Sequence, residues 1–334
     1  MKQISVEQNE AGQRLDKLLF KILNKAPKSF IYKMLRKKNI VLNGKKADGS
    51  EKLIVKDEIK LFLSDETLEQ FNEPLITTEV EQQLIVLFED QHILIVNKPL
   101  GVLSQKAEKG DVSMVEHIIS YLLSTKQITK EQLISFKPGV CNRLDRNTGG
   151  LLIAGKSLLG LQEMARLLKD RSLDKYYLCI VKGRVAGNKR IEGFLSKDEV
   201  LNKVKILPTE AGDAEYICTE YEPLQYTKNN IPDDTEGPQG IFTLLQVKLI
   251  TGRSHQIRAH LASIGHPLIG DYKYGDQNTN HYFKVNYGLT HQLLHSYRMV
   301  FPMIEGELSY LSKKEFCAEV PELFRQIKKD IFGE

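Results

Sequence analysis

The chain lacks the short signatures by which several enzyme classes are identified. It contains no G-x-G-x-x-G dinucleotide-binding fingerprint and no G-x-S-x-G serine-hydrolase motif. Gly149 and Gly150 precede a predicted strand instead of linking a strand to a helix, which argues against a phosphate-binding loop. His255 and His260 are five residues apart on a predicted helix. Their side chains therefore point in different directions, unlike metal ligands at i and i+4. We expect neither a cofactor nor a metal ion.

Cysteines and long apolar runs are also scarce. The four cysteines, Cys141, Cys179, Cys218 and Cys317, form no C-x-x-C pair and match no zinc spacing. Scattered thiols of this kind are typical of proteins from a reducing compartment. The first ten residues, MKQISVEQNE, lack the apolar core of a signal peptide, and no apolar run is long enough to span a membrane. These observations predict a cytoplasmic protein without membrane association.

Charge is ordinary in amount but uneven along the chain. Residues 1–60 contain 15 Lys or Arg and seven Asp or Glu, whereas residues 61–90 contain eight acidic residues and no basic one. A basic block beside an acidic connector indicates a module that binds a polyanion.

Seven cations of this block fall between residues 27 and 46, where no acidic residue occurs. The candidates for contact with a nucleic-acid backbone are Lys28, Lys33, Arg36, Lys37, Lys38, Lys45 and Lys46. A solvated helix face has the same appearance, so the residues alone leave both interpretations open.

Hydrophobic periodicity predicts the elements that carry these motifs. Near the N-terminus it predicts helices at 12–20 and 29–38 and strands at 40–42 and 52–55. Further strands are predicted at 85–90, 93–99, 151–154, 175–183 and 242–250, further helices at 112–123, 157–169 and 255–262, and a polar loop at 226–240. Strands and helices do not alternate regularly, so we expect an α+β fold around a mixed, mainly antiparallel sheet. The predicted organisation is a small domain at 1–64, an acidic linker at 65–84 and a large domain at 85–334.

The stretch C-N-R-L-D-R-N-T-G-G, residues 141–150, is the strongest candidate for chemistry. It places Asp145 between Arg143 and Arg146, directly before a predicted buried strand. Nearby positive charge keeps a carboxylate ionised, and an ionised carboxylate can act as a nucleophile, a base or an electrostatic stabiliser. A structural Asp–Arg ion pair that holds a loop is the alternative interpretation.

A second polar group occurs much later, where Arg253, His255, Arg258 and His260 open a predicted helix. Together with Asp145 they suggest a site that binds a polyanion and needs one ionised carboxylate. If the substrate is RNA, the target nucleotide must leave its stack. Tyr177 could then offer a stacking face, although a tyrosine in a strand is more often part of the core.

The order of the motifs resembles that of the pseudouridine synthases of the RluA/RluC/RluD type, and most closely the RluC-like branch. The matching segments are I-V-N-K-P-x-G at 95–101, R-L-D-R-x-T-x-G at 143–150, K-x-Y-x-x-x-V-x-G at 175–183, T-G-R-S-H-Q-I-R-A-H at 251–260 and G-H-P at 265–267. The resemblance covers nearly the whole chain. It implies the pseudouridine synthase fold and isomerisation of uridine to pseudouridine in RNA. The substrate that it implies is 23S ribosomal RNA.

Position by position, the resemblance assigns roles to four residues. Asp145 matches the catalytic aspartate, Tyr177 the tyrosine that stacks on the flipped uracil, and Arg258 the arginine that pairs with the carboxylate. Arg143 matches the arginine that helps to hold the flipped nucleotide or to fill the vacated stack. Further RNA contacts are expected from Arg146, Arg253 and His255. Two positions depart from the family pattern, because Asn142 replaces a usual His and Gly149 replaces a usual Ser.

Residues 10–64 resemble the S4-type RNA-binding domain. The matching features are G-x-R-L-D at 12–16, the Ser-led second helix and V-L-N-G at 41–44, while Lys56 replaces the Gly that usually opens the G-D-x-I turn. This resemblance implies binding of structured RNA through the basic helix and turn. We therefore expect a monomeric RNA-modifying enzyme. The alternatives are a catalytically inactive ribosome-associated RNA-binding protein and a synthase that acts on transfer RNA.

Overall fold

The computed structural model describes residues 1–72, 80, 83–108, 110–198, 203–227 and 240–333. The N-terminal unit comprises β1 (Lys2–Ser5), α1 (Leu15–Ile22), α2 (Lys28–Arg36), β2 (Ile40–Leu42), β3 (Lys45–Lys46), β4 (Glu58–Leu61) and α3 (Asp65–Phe71). The first half of the large domain comprises β5 (Val86–Glu89), β6 (Ile93–Lys98), α4 (Met114–Ser124), α5 (Gln132–Ser135), β7 (Gly139–Val140), β8 (Gly149–Gly155), α6 (Leu158–Lys169) and β9 (Asp174–Lys182). Its second half comprises β10 (Lys189–Asp198), β11 (Lys203–Leu207), β12 (Glu215–Tyr226), β13 (Phe242–Leu249), α7 (Gln256–Ser263), α8 (Gln277–Tyr287), β14 (Leu294–Val300), a 3₁₀ helix (Gly306–Leu311), β15 (Glu315–Cys317) and α9 (Glu322–Phe332).

The N-terminal unit is a four-stranded sheet in the order β1-β4-β2-β3 with its own apolar core. The predicted strand at 52–55 is wrong, since Lys52 makes only an isolated bridge to Arg14. The central strand is β4 instead. Its Ile59 and Leu61 are fully buried, whereas Ile54 is 66% exposed. Burial of alternate residues therefore selects 58–61 over 52–55.

The predicted acidic linker begins with a helix. Ser64 caps α3 by accepting a hydrogen bond from the Thr67 backbone N–H at 3.3 Å, and Asp65 lies in the first turn, where negative charge is favourable. Leu68 and Phe71 pack against the N-terminal core. Residues 73–79 and 81–82 of the linker lie outside the described residues, as do residues 228–239 of the predicted polar loop.

An 11-stranded sheet forms the centre of the large domain. Its strand order is β11-β10-β12-β13-β9-β14-β8-β6-β5, with β15 joined to β14 and β7 joined to β8. Within the described ranges every pair is antiparallel except β8 with β14. This confirms the predicted mixed, mainly antiparallel sheet.

Strand β8 is buried along its whole length because both faces of the sheet are covered. Leu152 packs with α4 and α7 in one apolar cluster, and Leu151 packs with α6 in another. Gly150 has φ +113°, and an added Cβ would lie 2.1 Å from the Ser296 carbonyl oxygen. The close parallel contact of β8 with β14 therefore requires glycine at this position.

Residues 150–157 also spell the phosphate-loop pattern G-x-x-x-x-G-K-S. In the structure the segment up to Gly155 is strand β8, so no loop surrounds a phosphate. Lys156 Nζ donates to Glu89 Oε1 at 2.7 Å, and Ser157 caps α6. Lys156 and Ser157 therefore have structural roles in the turn between β8 and α6, and the phosphate-loop pattern is a coincidence of sequence.

The N-terminal unit contacts the large domain beside α5. Ser135 Oγ donates to Glu10 Oε1 at 2.5 Å, and the Leu158 backbone N–H donates to Asn9 Oδ1 at 3.1 Å. Ile134 packs against the N-terminal core. Over the described ranges, none of the helices combines the length and apolar character that a membrane span requires.

Candidate active site

Asp145 lies in the loop between β7 and β8, and polar side chains hold this loop in place. Ser104 Oγ accepts from the Leu144 N–H at 2.9 Å and donates to the Leu144 carbonyl at 2.8 Å. Asn142 is buried, and its Oδ1 accepts from the Ile153 N–H at 2.8 Å. The residue that departs from the family pattern thus ties the loop to β8.

Lys98 also holds this loop in place. Its side chain is 1% exposed, and its ammonium donates to the carbonyl oxygens of Pro99 at 2.8 Å, Val102 at 2.7 Å and Arg146 at 3.1 Å. Burial lowers the pKa of Lys98 to about 8, against the opposing effect of the Asp145 carboxylate. Lys98 belongs to the I-V-N-K-P-x-G motif, but its role could not be read from the sequence, because its three acceptors are backbone atoms.

Arg258 connects Asp145 to a second carboxylate. Its Nη1 donates to Asp145 Oδ2 at 3.0 Å, and its Nε and Nη2 donate to the two oxygens of Asp271 at 2.8 and 2.9 Å. Asp271 is fully buried. Burial opposes both charges, yet the ion pairs raise the pKa of Arg258 and lower that of Asp271. The guanidinium is therefore clamped on one edge and presents its other edge to Asp145.

The sequence neighbours of Asp145 do not supply its cation, contrary to the interpretation of the R-x-D-R string. Both Arg143 and Arg146 are exposed, and within the described residues neither forms an ion pair with Asp145. The contacting arginine is 113 residues away in sequence. Arg258 lies where the family resemblance places it.

His255 is the other nitrogen-bearing group near Asp145. Its backbone has the left-handed φ of 56° at the start of α7, and its Nε2 lies 4.0 Å from Asp145 Oδ2. Its Nδ1 is 3.0 Å from the Tyr274 hydroxyl, which also accepts from the Val204 N–H at 2.9 Å. Burial lowers the pKa of His255, so the ring is neutral at pH 7. His260 points away and lies 3.1 Å from Thr219 Oγ1.

Tyr177 faces Asp145 from strand β9. It is 5% exposed, and burial raises its pKa to about 12, which keeps the phenol neutral. A cavity of about 70 Å³ is lined by Asp145, Tyr177, His255, Arg258 and Arg143, among other residues. This cavity adjoins a cleft of about 690 Å³ that also reaches Arg146 and Arg253. Arg253 pairs with Glu215 at 2.7 Å. One carboxylate, an aromatic face and several cations thus meet at one opening.

The other predicted RNA contacts lie in the N-terminal unit. The side chains of Lys28, Lys33, Arg36, Lys37, Lys38, Lys45 and Lys46 are exposed on α2, the turn after it and β3. Across the described part of the chain, no group of three or more His, Cys, Asp or Glu side chains is arranged to hold a metal ion.

Comparison with known proteins defines the class to which this site belongs. The model of the RNA pseudouridylate synthase family matches residues 92–263, which run from β6 to α7 and include Asp145, Tyr177 and Arg258. The chain belongs to this family and is an RNA pseudouridine synthase.

The chain is 31% identical over 304 residues to an uncharacterized RNA pseudouridine synthase of Mycoplasma genitalium, covering 90% of this chain and 89% of that protein. It is 27% identical over 305 residues to ribosomal large subunit pseudouridine synthase C of Escherichia coli, covering 90% and 88%. The structure of human RNA pseudouridylate synthase domain containing 4 shares the fold at a TM-score of 0.54 and 18% identity, covering 74% of this chain and 92% of that one. These findings confirm the family and fold predicted from the motif order.

Proposed function

We propose that this enzyme isomerises uridine to pseudouridine at specific positions of large-subunit ribosomal RNA, with Asp145 as the catalytic carboxylate. The observation that carries the proposal is the position of Asp145, which lies at a small cavity facing Tyr177 and accepts a hydrogen bond from Arg258. Relatives named as ribosomal large subunit synthases match about nine-tenths of the chain and support this choice of substrate.

The reaction requires no oxidant and no phosphate donor. The N1–C1′ glycosidic bond of uridine breaks, the uracil turns, and C5 forms the new bond to C1′. The proton on C5 is lost to solvent and N1 gains one, so the nucleotide keeps its composition. Asp145 acts at the sugar, and two steps fit its position. It attacks C1′, or it removes the proton from C2′.

The neighbouring residues have separate roles in this proposal. Arg258 orients the Asp145 carboxylate through a hydrogen bond, because Asp271 fixes the other edge of the guanidinium. Tyr177 supports the flipped uracil with its neutral ring. Arg143 is exposed at the rim and helps to hold the flipped nucleotide. Arg146, Arg253 and His255 complete the RNA-contacting wall.

The N-terminal unit acts as an S4-like RNA-binding module in this proposal. Its seven exposed cations attract the phosphate backbone of structured RNA. Because both units lie on one chain, binding by the module raises the effective concentration of RNA at the catalytic cleft.

Tritium release measures the proposed reaction directly. RNA transcripts carrying tritium at C5 of uridine lose the label when C5 bonds to C1′. Wild-type protein should release tritium from large-subunit ribosomal RNA, whereas Asp145→Asn should release none and bind the RNA within about twofold of wild type. Asp170→Asn is the matched control, because Asp170 is an exposed carboxylate at the end of α6. Turnover by Asp145→Asn would contradict the proposal. Tritium release from transfer RNA alone would make transfer RNA the substrate in place of ribosomal RNA. RNA binding without tritium release would favour a protein that only binds RNA.

A further inference from the structure

The cleft beside the candidate active site contains a buried lysine whose role is unassigned. Lys175 is 7% exposed and lines the 690 Å³ cleft together with Tyr177, Leu168 and Arg171. Within the described part of the chain, its ammonium forms no hydrogen bond and no ion pair. The adjacent Asp174 is engaged elsewhere, since it pairs with Lys248 at 2.8 Å.

Such a lysine is costly to the free protein. Burial lowers the pKa of Lys175, and Arg171 adds to this effect, while Asp174 opposes it only at longer range. A buried cation is normally paired with an anion or neutralised by the loss of its proton. Lys98 is also buried and Lys156 is partly buried, but both donate hydrogen bonds to the protein at 2.8 Å or less. Lys175 differs from them because its ammonium bonds to no described residue and opens onto the cleft.

The cleft around Lys175 is prepared for an anion. Its lining contains seven cations, Lys106, Arg143, Arg146, Lys169, Arg171, Lys175 and Arg253, and one carboxylate, Asp145. Glu116 pairs with Lys106 and Glu215 with Arg253, whereas the other five cations make no ion pair with a described residue. A Cβ added at Gly252 would lie 3.9 Å from Lys175 Nζ, so the ammonium lies beside the turn that opens α7.

The strand geometry relates this cation to the flipped nucleotide. Lys175 and Tyr177 are two residues apart on β9, so their side chains leave the same face of the sheet about 7 Å apart. A nucleotide whose base contacts Tyr177 therefore brings its own phosphate or the adjoining one within reach of the Lys175 ammonium.

We propose that Lys175, assisted by Arg171, binds a single backbone phosphate next to the target uridine and thereby positions the nucleotide on Tyr177. This inference rests on the proposed function and adds a binding residue to the same cleft. Lys175 contacts the RNA backbone and takes no part in bond making, so its removal acts on RNA binding more than on the rate of the bound complex.

The first test compares Lys175→Met with Lys248→Met. Both replace one lysine near β9, but Lys248 pairs with Asp174 on the opposite face of the sheet. Lys175→Met should weaken RNA binding about tenfold at low salt and reduce the slope of log K against log salt by about 0.7 to 0.9, the contribution of one phosphate contact. Lys175→Arg should keep the slope, and Lys248→Met should match wild type in both.

Stability distinguishes a binding role from a structural one. Removing an unpaired buried charge should leave the melting temperature of Lys175→Met equal to or above that of wild type. A lower melting temperature with an unchanged salt slope would overturn the inference. If Lys175→Met does not fold, that result also overturns it, because the side chain would then be structural.

Neutral methylphosphonate linkages identify the phosphate itself. Placed singly on either side of the target uridine, one linkage should weaken wild-type binding about tenfold and should not weaken Lys175→Met further. Equal losses in both proteins at every position would contradict the inference. Failure of the proposed function has a different signature, since wild-type protein would then release no tritium from any RNA.

Discussion

The two hydrogen bonds by which Asp271 holds Arg258 predict that a residue outside the cavity controls the reaction rate. Asp271 does not line either cavity of the site, yet it accepts two hydrogen bonds from Arg258 and two more from the backbone N–H groups of Lys273 and Tyr274. Asp271→Asn keeps the size of the side chain but removes its charge. The amide NH₂ also faces an Arg258 N–H, so one of the two bonds from the guanidinium is lost.

The magnitude follows from this loss. A hydrogen bond to a charged group contributes about 1.5–3 kcal/mol, and each 1.4 kcal/mol in the barrier changes a rate tenfold. We expect the single-turnover rate at saturating RNA to fall about 10- to 100-fold as Arg258 loses its fixed orientation toward Asp145. The free energy of unfolding should fall by about 3 kcal/mol, at the low end for breaking a buried ion pair, because Arg258 keeps Asp145 as a partner.

RNA affinity should change less than threefold, because Asp271 is fully buried and does not line the cleft. Asp276→Asn is the matched control, since Asp276 caps α8 and asparagine caps equally well. Pseudouridine formation in single-turnover assays and urea unfolding measure the two effects. A normal rate in a destabilised Asp271→Asn protein would refute the idea that the clamp aims Arg258.

Three further predictions concern stability and RNA binding. Gly150→Ala should prevent folding or cost several kcal/mol in urea unfolding, because its Cβ would lie 2.1 Å from the Ser296 carbonyl oxygen, whereas Gly187→Ala, with φ +61° and open space, should cost about 1 kcal/mol. Burial lowers the pKa of His295 to about 4, below the unfolded value of about 6.5, so the unfolded chain binds the proton first as pH falls. The free energy of unfolding should therefore drop by about 3 kcal/mol from pH 6.5 to 4, a slope that His295→Gln removes and exposed His281→Gln retains. Replacing Lys33, Lys37 and Lys38 with Gln should lower the salt slope of RNA binding by about two to three, and an unchanged slope would contradict an S4-like role; Lys130, Lys313 and Lys329 are the matched exposed triple.

Local patterns predicted the elements whose burial is continuous or strictly periodic. Strands β8, β9 and β13 and helices α4 and α6 lie where their apolar residues indicated. Strand β10 escaped prediction because its residues alternate between exposed and buried with many charges, and only its pairing with β12 makes it a strand. Tertiary pairing decides such segments more than propensity does.

The candidate site likewise combines a residue that its local sequence predicts with partners that lie far away in the sequence. Asp145 could be singled out from its own motif. Its arginine partner could not be chosen by proximity, since Arg143 and Arg146 are adjacent in sequence but Arg258 makes the contact. The roles of Lys98, Asp271 and Tyr274 depend on contacts between distant segments, which sequence spacing does not encode.

Mapping pseudouridine in ribosomal RNA tests the central claim most directly. Large-subunit RNA would be compared from cells that carry the wild-type gene, no gene, or the gene with Asp145→Ala. The account predicts that specific large-subunit positions lose pseudouridine without the gene and regain it with wild type but not with Asp145→Ala. Unchanged modification at every ribosomal position, or full restoration by Asp145→Ala, would contradict it.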